Sequence, residues 1–166
     1  MGPSINFAAL DLRGAFDLAI MIEEDAELRY QDFAKYLGDR DEHGAAAVFR
    51  AMAINEAKHR SDLYMRRRLK FHRDPRIEIS VLEPGEGEAP DPGELTPSMT
   101  ARDALEVALR AEIRAYEFYA AAIPYVTDVE VRAFFEELKE EEVEHQEMLR
   151  RKIADVDAGR RRVGQS

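Results

Sequence analysis

Two Glu-x-x-His pairs are the residues of this sequence with the clearest chemistry: Glu56 with His59, and Glu142 with His145. If the surrounding chain is helical, a spacing of three places each pair on one face, about 4.5 Å apart along the axis. Carboxylate and neutral imidazole are ligands that together suit iron or manganese. One such pair arises easily by chance in a glutamate-rich chain, so the pattern around the pairs decides whether they are ligands.

Both pairs lie within a longer repeated pattern. A phenylalanine and a second apolar residue precede each pair at the same distances, so the pattern of residues 49–59 recurs at 135–145. The pattern Glu-x-x-Ala-x-x-x-Tyr also occurs twice, at 23–30 and at 112–119. The chain therefore contains a helical hairpin twice, and each copy joins a helix with one glutamate to a helix with Glu-x-x-His. This arrangement brings four glutamates and two histidines to the same height in a bundle.

Four glutamates directed into an apolar interior require positive charge, because burying an unpaired ion costs several kcal/mol even after relaxation. Two divalent cations balance four carboxylates, and neutral imidazoles complete their coordination. One glutamate from each of two helices, with Glu-x-x-His from each of the other two, is the ligand pattern of di-iron carboxylate bundles. The sequence therefore predicts a site for two iron ions, or alternatively manganese, with these ligands: Glu23, Glu56, His59, Glu112, Glu142 and His145.

Residues near these ligands leave two questions open. Apolar spacing favours the six ligands over neighbouring acids, but Glu27 and Glu141 remain alternatives. Tyr30 and Tyr119 follow the glutamates of the first and third helices by two turns, on the same face. Their hydroxyls either pack in the core or donate a hydrogen bond to a ligand carboxylate, and the second role would support catalysis.

Four amphipathic helices must position these residues, and apolar spacing predicts where they lie. Their approximate ranges are 10–38, 41–72, 101–124 and 128–154. Five of the seven prolines fall between residues 75 and 97, so residues 73–99 are predicted to form a long crossover loop. If the two hairpins pack as pseudo-twofold mates, this loop must run the length of the bundle. The expected fold is all-α, a four-helix bundle of two helical hairpins joined by that loop.

Short motifs mark the expected helix ends. Gly38 is expected to end the first helix, and residues 66–70 place basic side chains at the negative end of the second helix dipole. Residues 77–81 alternate as a short extended segment would. Capping boxes are expected at the starts of the other three helices, formed by Asp39 with Glu42, Thr100 with Asp103, and Thr127 with Glu130.

Composition limits the classes of function. The chain has 166 residues, of which 24 are basic and 34 acidic, and its net charge of −10 argues against nucleic-acid binding. The sequence has no cysteine, which excludes disulfides, zinc ribbons and cysteine-ligated iron–sulfur clusters within it. It contains no apolar run near the ~18 residues of a membrane span and no recognisable signal peptide. We expect one cytoplasmic domain comprising residues 1–166.

Two segments of the sequence are similar to those of a known family. AEIRAYEFY at 111–119 and FEELKEEEVEH at 135–145 resemble the third and fourth helices of the ferritin-like superfamily, specifically its rubrerythrin-related branch. The resemblance extends from about Gly14 to Ile153 and implies the same six metal ligands. Rubrerythrins proper also carry a carboxylate where this chain has Ala115, and a cysteine-ligated rubredoxin domain. Ferritins usually add a fifth short helix for cage assembly, which the tail after Ile153 does not resemble, so a homodimer is expected.

The resemblance implies a non-haem di-iron oxidoreductase of the oxidative-stress response. Such a protein oxidises Fe(II), or reduces dioxygen or hydrogen peroxide, at a carboxylate-bridged di-metal site, and an external electron donor resets it. Three alternatives remain: a non-catalytic iron-binding, storage or delivery protein, a di-manganese catalase, and a purely structural bundle. We expect neither a nucleic-acid nor a membrane partner.

Overall fold

The computed structural model describes residues 5–38, 44–77 and 87–164, and four long helices account for most of them. The helices are α1 (Leu12–Leu37), α2 (Ala45–Phe71), α3 (Ala101–Ala122) and α4 (Val129–Val163). Short 3₁₀ turns lie at Phe7–Ala9, Pro92–Glu94 and Ile123–Tyr125. Helix α1 packs mainly on α2 and α3 mainly on α4, while α2 also contacts α3. The predicted all-α bundle of two hairpins with a long connection between them is confirmed.

The helix ends follow the predicted motifs only in part. Gly38 ends α1 with a φ of 61°, a left-handed conformation that suits glycine, and the capping box of Thr100 with Asp103 begins α3. The predicted Thr127 cap is wrong, because Asp128 caps α4 by accepting from the backbone N–H groups of residues 130 and 131. The Thr127 hydroxyl instead donates to the Ala8 carbonyl oxygen at 2.8 Å. The predicted box of residues 39 and 42 and most of the extended segment 77–81 lie outside the described residues.

Helix α4 is longer than the sequence pattern predicted, since it continues beyond residue 154 to Val163. Asp157 in this extension pairs with Arg102 at the start of α3, with Oδ1 and Nε 2.7 Å apart. Three arginines in the last turn lie at the negative end of the helix dipole, which favours them there. None of the described helices combines the length and the apolar character that crossing a membrane requires.

The apolar core consists of two clusters at opposite ends of the bundle. One is formed by residues such as Phe33, Phe49 and Leu149, and the other by residues such as Phe16 and Phe135. On every helix the predicted metal ligands fall between the residues of the two clusters. The fold therefore places these ligands in the middle of the bundle, with apolar side chains above and below them.

A buried ion pair fixes the start of the crossover connection. Arg67 of α2, predicted only as a helix-end charge, pairs with Asp17 of α1, and both side chains are almost fully buried. Nε of Arg67 lies 2.5 Å from one Asp17 oxygen, and the second oxygen accepts from the Ile77 N–H at 2.9 Å. Arg67 also donates to the carbonyl oxygens of Asp74 and Pro75, at 3.0 and 3.1 Å. The pair thus joins both helices of the first hairpin to the connection.

The Thr100 cap permits a test of local stability. Its hydroxyl oxygen accepts from the Asp103 N–H at 3.2 Å, while an Asp103 carboxylate oxygen accepts from the Thr100 N–H at 2.7 Å. Thr100→Ala removes the hydroxyl and is expected to lower the free energy of unfolding by about 1 kcal/mol in urea denaturation. Thr100→Ser keeps the hydroxyl and serves as the control. Equal losses in both variants would contradict the assigned cap.

Candidate metal centre

All four helices contribute to a buried cluster of acids and imidazoles at mid-bundle. Helices α1 and α3 each supply one glutamate, whereas α2 and α4 each supply a Glu-x-x-His pair, whose spacing puts both side chains on one helical face. The structure brings together all six residues predicted from the sequence. The six residues fall into two groups. Within each group, the candidate ligand atoms all lie within 4.8 Å of one another. The α1–α2 group comprises Glu23, Glu56 and His59, and the α3–α4 group comprises Glu112, Glu142, His145 and, in addition, Glu88.

The imidazoles make equivalent contacts in the two groups. Nδ1 of His59 lies 3.2 Å from a Glu56 oxygen and 3.8 Å from a Glu23 oxygen. Nδ1 of His145 lies 3.3 Å from a Glu112 oxygen and 3.5 Å from a Glu142 oxygen. The two rings stack in parallel with centroids 4.5 Å apart. The hairpin repeat in the sequence is therefore reproduced as approximate symmetry at this site.

Burial and mutual repulsion alter the acidity of these groups. Burial, with repulsion from Glu56 and Glu142, holds the pKa of Glu23 well above its usual value. Burial also raises the pKa of Glu112, to about 8, although its hydrogen bond with His145 opposes the shift. Burial disfavours the charged form of His145, but hydrogen bonds to two carboxylates outweigh it and raise the pKa to about 10. The metal-free site therefore holds protons near neutral pH.

The carboxylates of the two groups fit a pair of metal ions. One oxygen each of Glu23, Glu56 and Glu142 is buried and has no hydrogen-bond partner among the described residues. A buried acceptor without a partner loses the favourable interactions it had with water. Cations placed within the two groups would be electrostatic partners for these unpartnered oxygens. The mixture of carboxylate and imidazole suits iron or manganese. The two buried clusters are thus consistent with a dinuclear metal site.

The two tyrosines belong to the aromatic packing around the site. Tyr30 stacks on Phe49 with centroids 6.0 Å apart, and Tyr119 meets Phe135 edge to face at 5.4 Å. The Tyr30 hydroxyl is buried without a hydrogen-bond partner in the described part of the chain, so of its two expected roles the hydrogen bond to a carboxylate is not formed there. Burial, followed by repulsion from Glu112, raises the pKa of Tyr30, which keeps its hydroxyl protonated.

The alternative acids do not join either group. Glu27 accepts a hydrogen bond from Nε of Arg60 at 2.8 Å, which ties it to the neighbouring helix instead. Glu141 is partly buried, and burial together with repulsion from Glu137 raises its pKa. Neither residue is among the candidate ligands that the structure brings together within the described ranges.

Glu88 is the residue of this site that sequence reasoning missed. It lies in the crossover connection, where no helical periodicity indicates which way a side chain points. The sequence offered one signal, an acidic residue placed between a glycine and Ala-Pro in a segment otherwise typical of loops. At position 115, where rubrerythrins proper carry a further acid, the structure has a fully buried alanine.

The helix order and the crossover connection place this chain among the ferritin-like four-helix bundles. More narrowly, the chain belongs to the rubrerythrin family, whose sequence model matches residues 15–153. The match begins in the first turn of α1, covers α2 and α3 in full, ends ten residues before the end of α4, and includes all six predicted ligands. No curated protein matches the chain significantly.

Two solved structures are similar to this chain. An uncharacterized conserved protein from Magnetospirillum magnetotacticum MS-1 is 28% identical to this chain and has a TM-score of 0.63. The match covers 88% of this chain and 95% of that one. A bacterioferritin from Rhodobacter capsulatus, solved with a metal-free dinuclear site and a haem iron, is 22% identical. Its TM-score is 0.56, over 88% of this chain and 85% of that one, and this likeness shows the fold alone.

Proposed function

We propose that this protein is a non-haem di-iron oxidoreductase that oxidises Fe(II), or reduces dioxygen or hydrogen peroxide, at its mid-bundle site. The proposal depends on one observation, the two adjacent Glu/His groups with unpartnered, buried carboxylate oxygens. Membership of the rubrerythrin family supports it, because the family is generally associated with oxygen and peroxide chemistry. When bound, iron would supply the electrons for reduction, and an external donor or fresh Fe(II) would restore them.

The six residues divide naturally between two metal positions. Glu23, Glu56 and His59 would hold one ion through two carboxylates and Nδ1 of the imidazole. Glu112, Glu142 and His145 would hold the other in the same way. Because His145 and Glu112 carry protons near neutral pH in the metal-free protein, binding a metal there would release them.

The surroundings of the site suit redox chemistry on small molecules. The two apolar clusters exclude water from above and below, which strengthens the electrostatic interaction between carboxylates and cations. The histidine side chains remain partly accessible, with 30% of His59 and 20% of His145 exposed. This face between α2 and α4 would admit iron and a small oxidant while the rest of the site stays closed.

Aerobic titration with Fe(II) tests the proposal. Wild-type protein is expected to bind about two iron ions per chain and to oxidise them faster than iron free in buffer, as followed by ultraviolet absorbance. Glu56→Ala removes a proposed ligand of the α1–α2 group and is expected to abolish this faster oxidation. Glu27→Ala removes an acid one turn from Glu23 but outside both groups, and should behave as wild type.

Other results of the same titration would select another function. Two ions bound without faster oxidation would indicate an iron-binding or delivery protein, and absence of binding would refute the metal site altogether. Rapid peroxide disproportionation by manganese-loaded protein only would indicate a catalase. An electron donor outside this sequence is part of the proposal, since these 166 residues contain no cysteine that could ligate an iron–sulfur centre.

A further inference from the structure

We infer that Glu88, carried by the crossover connection, is a seventh ligand of the metal centre and binds the ion held by α3 and α4. This inference rests on the proposed function, because it requires a metal at that position. Glu88 supplies a carboxylate oxygen within the same 4.8 Å grouping as ligand atoms of Glu112, Glu142 and His145. The α1–α2 group has three candidate donors and the α3–α4 group has four, so the two metal positions are not equivalent.

The position of Glu88 is unusual for a loop residue. Only 1% of its surface is exposed, although glutamate is rarely buried unless it is paired. One of its carboxylate oxygens is buried without a hydrogen-bond partner in the described residues, as are oxygens of three predicted ligands. Its carboxyl group also lies close enough to those of Glu23 and Glu56 to be repelled by them, so it faces the α1–α2 group as well. Glu88 therefore extends into the centre of the acidic cluster.

No basic side chain within the described ranges forms an ion pair with Glu88, which argues against a purely structural role. A buried acid that anchors a loop is normally paired with arginine or lysine, as Asp17 is paired with Arg67. The strongest charge interactions of Glu88 are instead repulsions from four other acids, namely Glu23, Glu56, Glu112 and Glu142. A cation in the α3–α4 group would convert this repulsion into coordination.

Other residues of the connection hold Glu88 in place. Arg114 of α3 donates from Nη2 to the Ala89 carbonyl oxygen at 3.5 Å. Arg110, one turn earlier on α3, donates from Nε to a Glu94 oxygen at 2.5 Å. These contacts fasten the connection to α3 on both sides of residue 90, so the loop carboxylate is positioned by basic residues that do not neutralise it.

A fifth carboxylate changes the charge balance of the site. Two divalent ions supply four positive charges, which balance the four helix glutamates, so ionised Glu88 adds one negative charge in excess. An extra anionic ligand favours the more highly charged state of the ion it contacts. We therefore expect the ion near His145 to be bound more tightly than its counterpart and to be the more easily oxidised of the two.

Anaerobic titration with Co(II), followed by its visible d–d absorption, tests this inference without any turnover. Wild type is expected to bind two ions per chain. Glu88→Gln keeps the size of the side chain. It should lower the affinity for one of the two ions at least about tenfold and leave the affinity for the other within about twofold of wild type. Glu88→Ala should show the same loss and an altered d–d spectrum. Asp91→Asn removes one negative charge from an exposed position of the same connection, and should bind both ions as wild type does.

Thermal unfolding of the metal-free variants separates ligation from a structural role. Removing a buried acid that is repelled by four other acids should leave metal-free Glu88→Gln at least as stable as wild type. If this variant is less stable without metal but binds both Co(II) ions normally, Glu88 is a structural residue and the inference is wrong. If wild type binds two Co(II) ions and Glu56→Ala does not, while Glu88→Gln equals wild type, only the seventh ligand is refuted. If wild type itself binds no Co(II), the proposed function fails as well.

Discussion

Saturation with Mn(II) is expected to raise the free energy of unfolding of the metal-free protein by about 5 kcal/mol at neutral pH. An ion present at a hundred times its dissociation constant contributes about 2.7 kcal/mol, and the proposed site would hold two ions. For a chain of this length, such a gain corresponds to a rise of roughly 10–20 °C in the melting temperature. The physical reason is that cations supply partners for buried carboxylate oxygens that otherwise have none.

The stabilisation by metal should also grow with pH. In the metal-free protein the pKa of Glu112 is raised from 4.5 to about 8, so this group contributes stability at low pH that is lost as pH rises between those values. The pKa of His145 is raised from 6.5 to about 10, and its contribution is likewise lost as pH rises through that range. Glu23 and Glu88, whose pKa values burial also raises, act in the same direction. Metal binding has the opposite dependence because it displaces these protons.

Calorimetric melting at several pH values between about 5 and 8, with chelator and with Mn(II), measures both effects. The metal-free melting temperature should fall with rising pH, and the difference between the two forms should widen. Glu142→Ala should lose most of the gain from Mn(II), whereas Glu144→Ala, an exposed acid on the same helix, should retain it. A wild-type protein that melts at the same temperature with chelator and with Mn(II) would support a purely structural bundle.

Much of this site could be predicted because the sequence of a helix indicates which of its side chains face the core. Apolar residues at a helical spacing identify the buried face, and an acid that falls on that face is conspicuous. The repeat then strengthened the interpretation, since Glu-x-x-His at 56–59 and again at 142–145 is far less expected by chance than one copy. Apolar spacing alone leaves Glu27 open as an alternative ligand, and only the structure, which pairs it with Arg60, removes it from the site.

Features fixed by contacts distant in sequence could not be predicted in this way. Glu88 is directed inward by contacts of its connection with α3, which no local pattern records. The choice of Asp128 over Thr127 as a cap depends on a bond from Thr127 to Ala8, which lies more than a hundred residues earlier. The extension of α4 runs through Gly159, a weak helix former, and is tied to α3 by Arg102. In each case a tertiary contact overrides an ambiguous local signal.

The Asp17–Arg67 pair is the clearest example, because the sequence showed Asp17 only as an interruption of an apolar stretch. Breaking this ion pair is expected to lower the free energy of unfolding strongly. Asp17→Ala would leave the Arg67 guanidinium buried without its counter-ion and the Ile77 N–H without its acceptor. Removing one partner of a buried ion pair costs about 3–5 kcal/mol of unfolding free energy, much more than an exposed pair is worth.

Urea denaturation in the presence of chelator isolates this effect from metal binding. Asp17→Ala should lower the unfolding midpoint strongly. The control, Glu137→Ala, removes the partner of Arg66 in a pair whose side chains are 40% and 48% exposed, and should cost less than about 1 kcal/mol. Replacing both buried partners, as Asp17→Leu with Arg67→Met, should recover a large part of the loss because no unpaired charge then remains buried. Similar small losses for Asp17→Ala and Glu137→Ala would mean that the crossover connection is held without this pair.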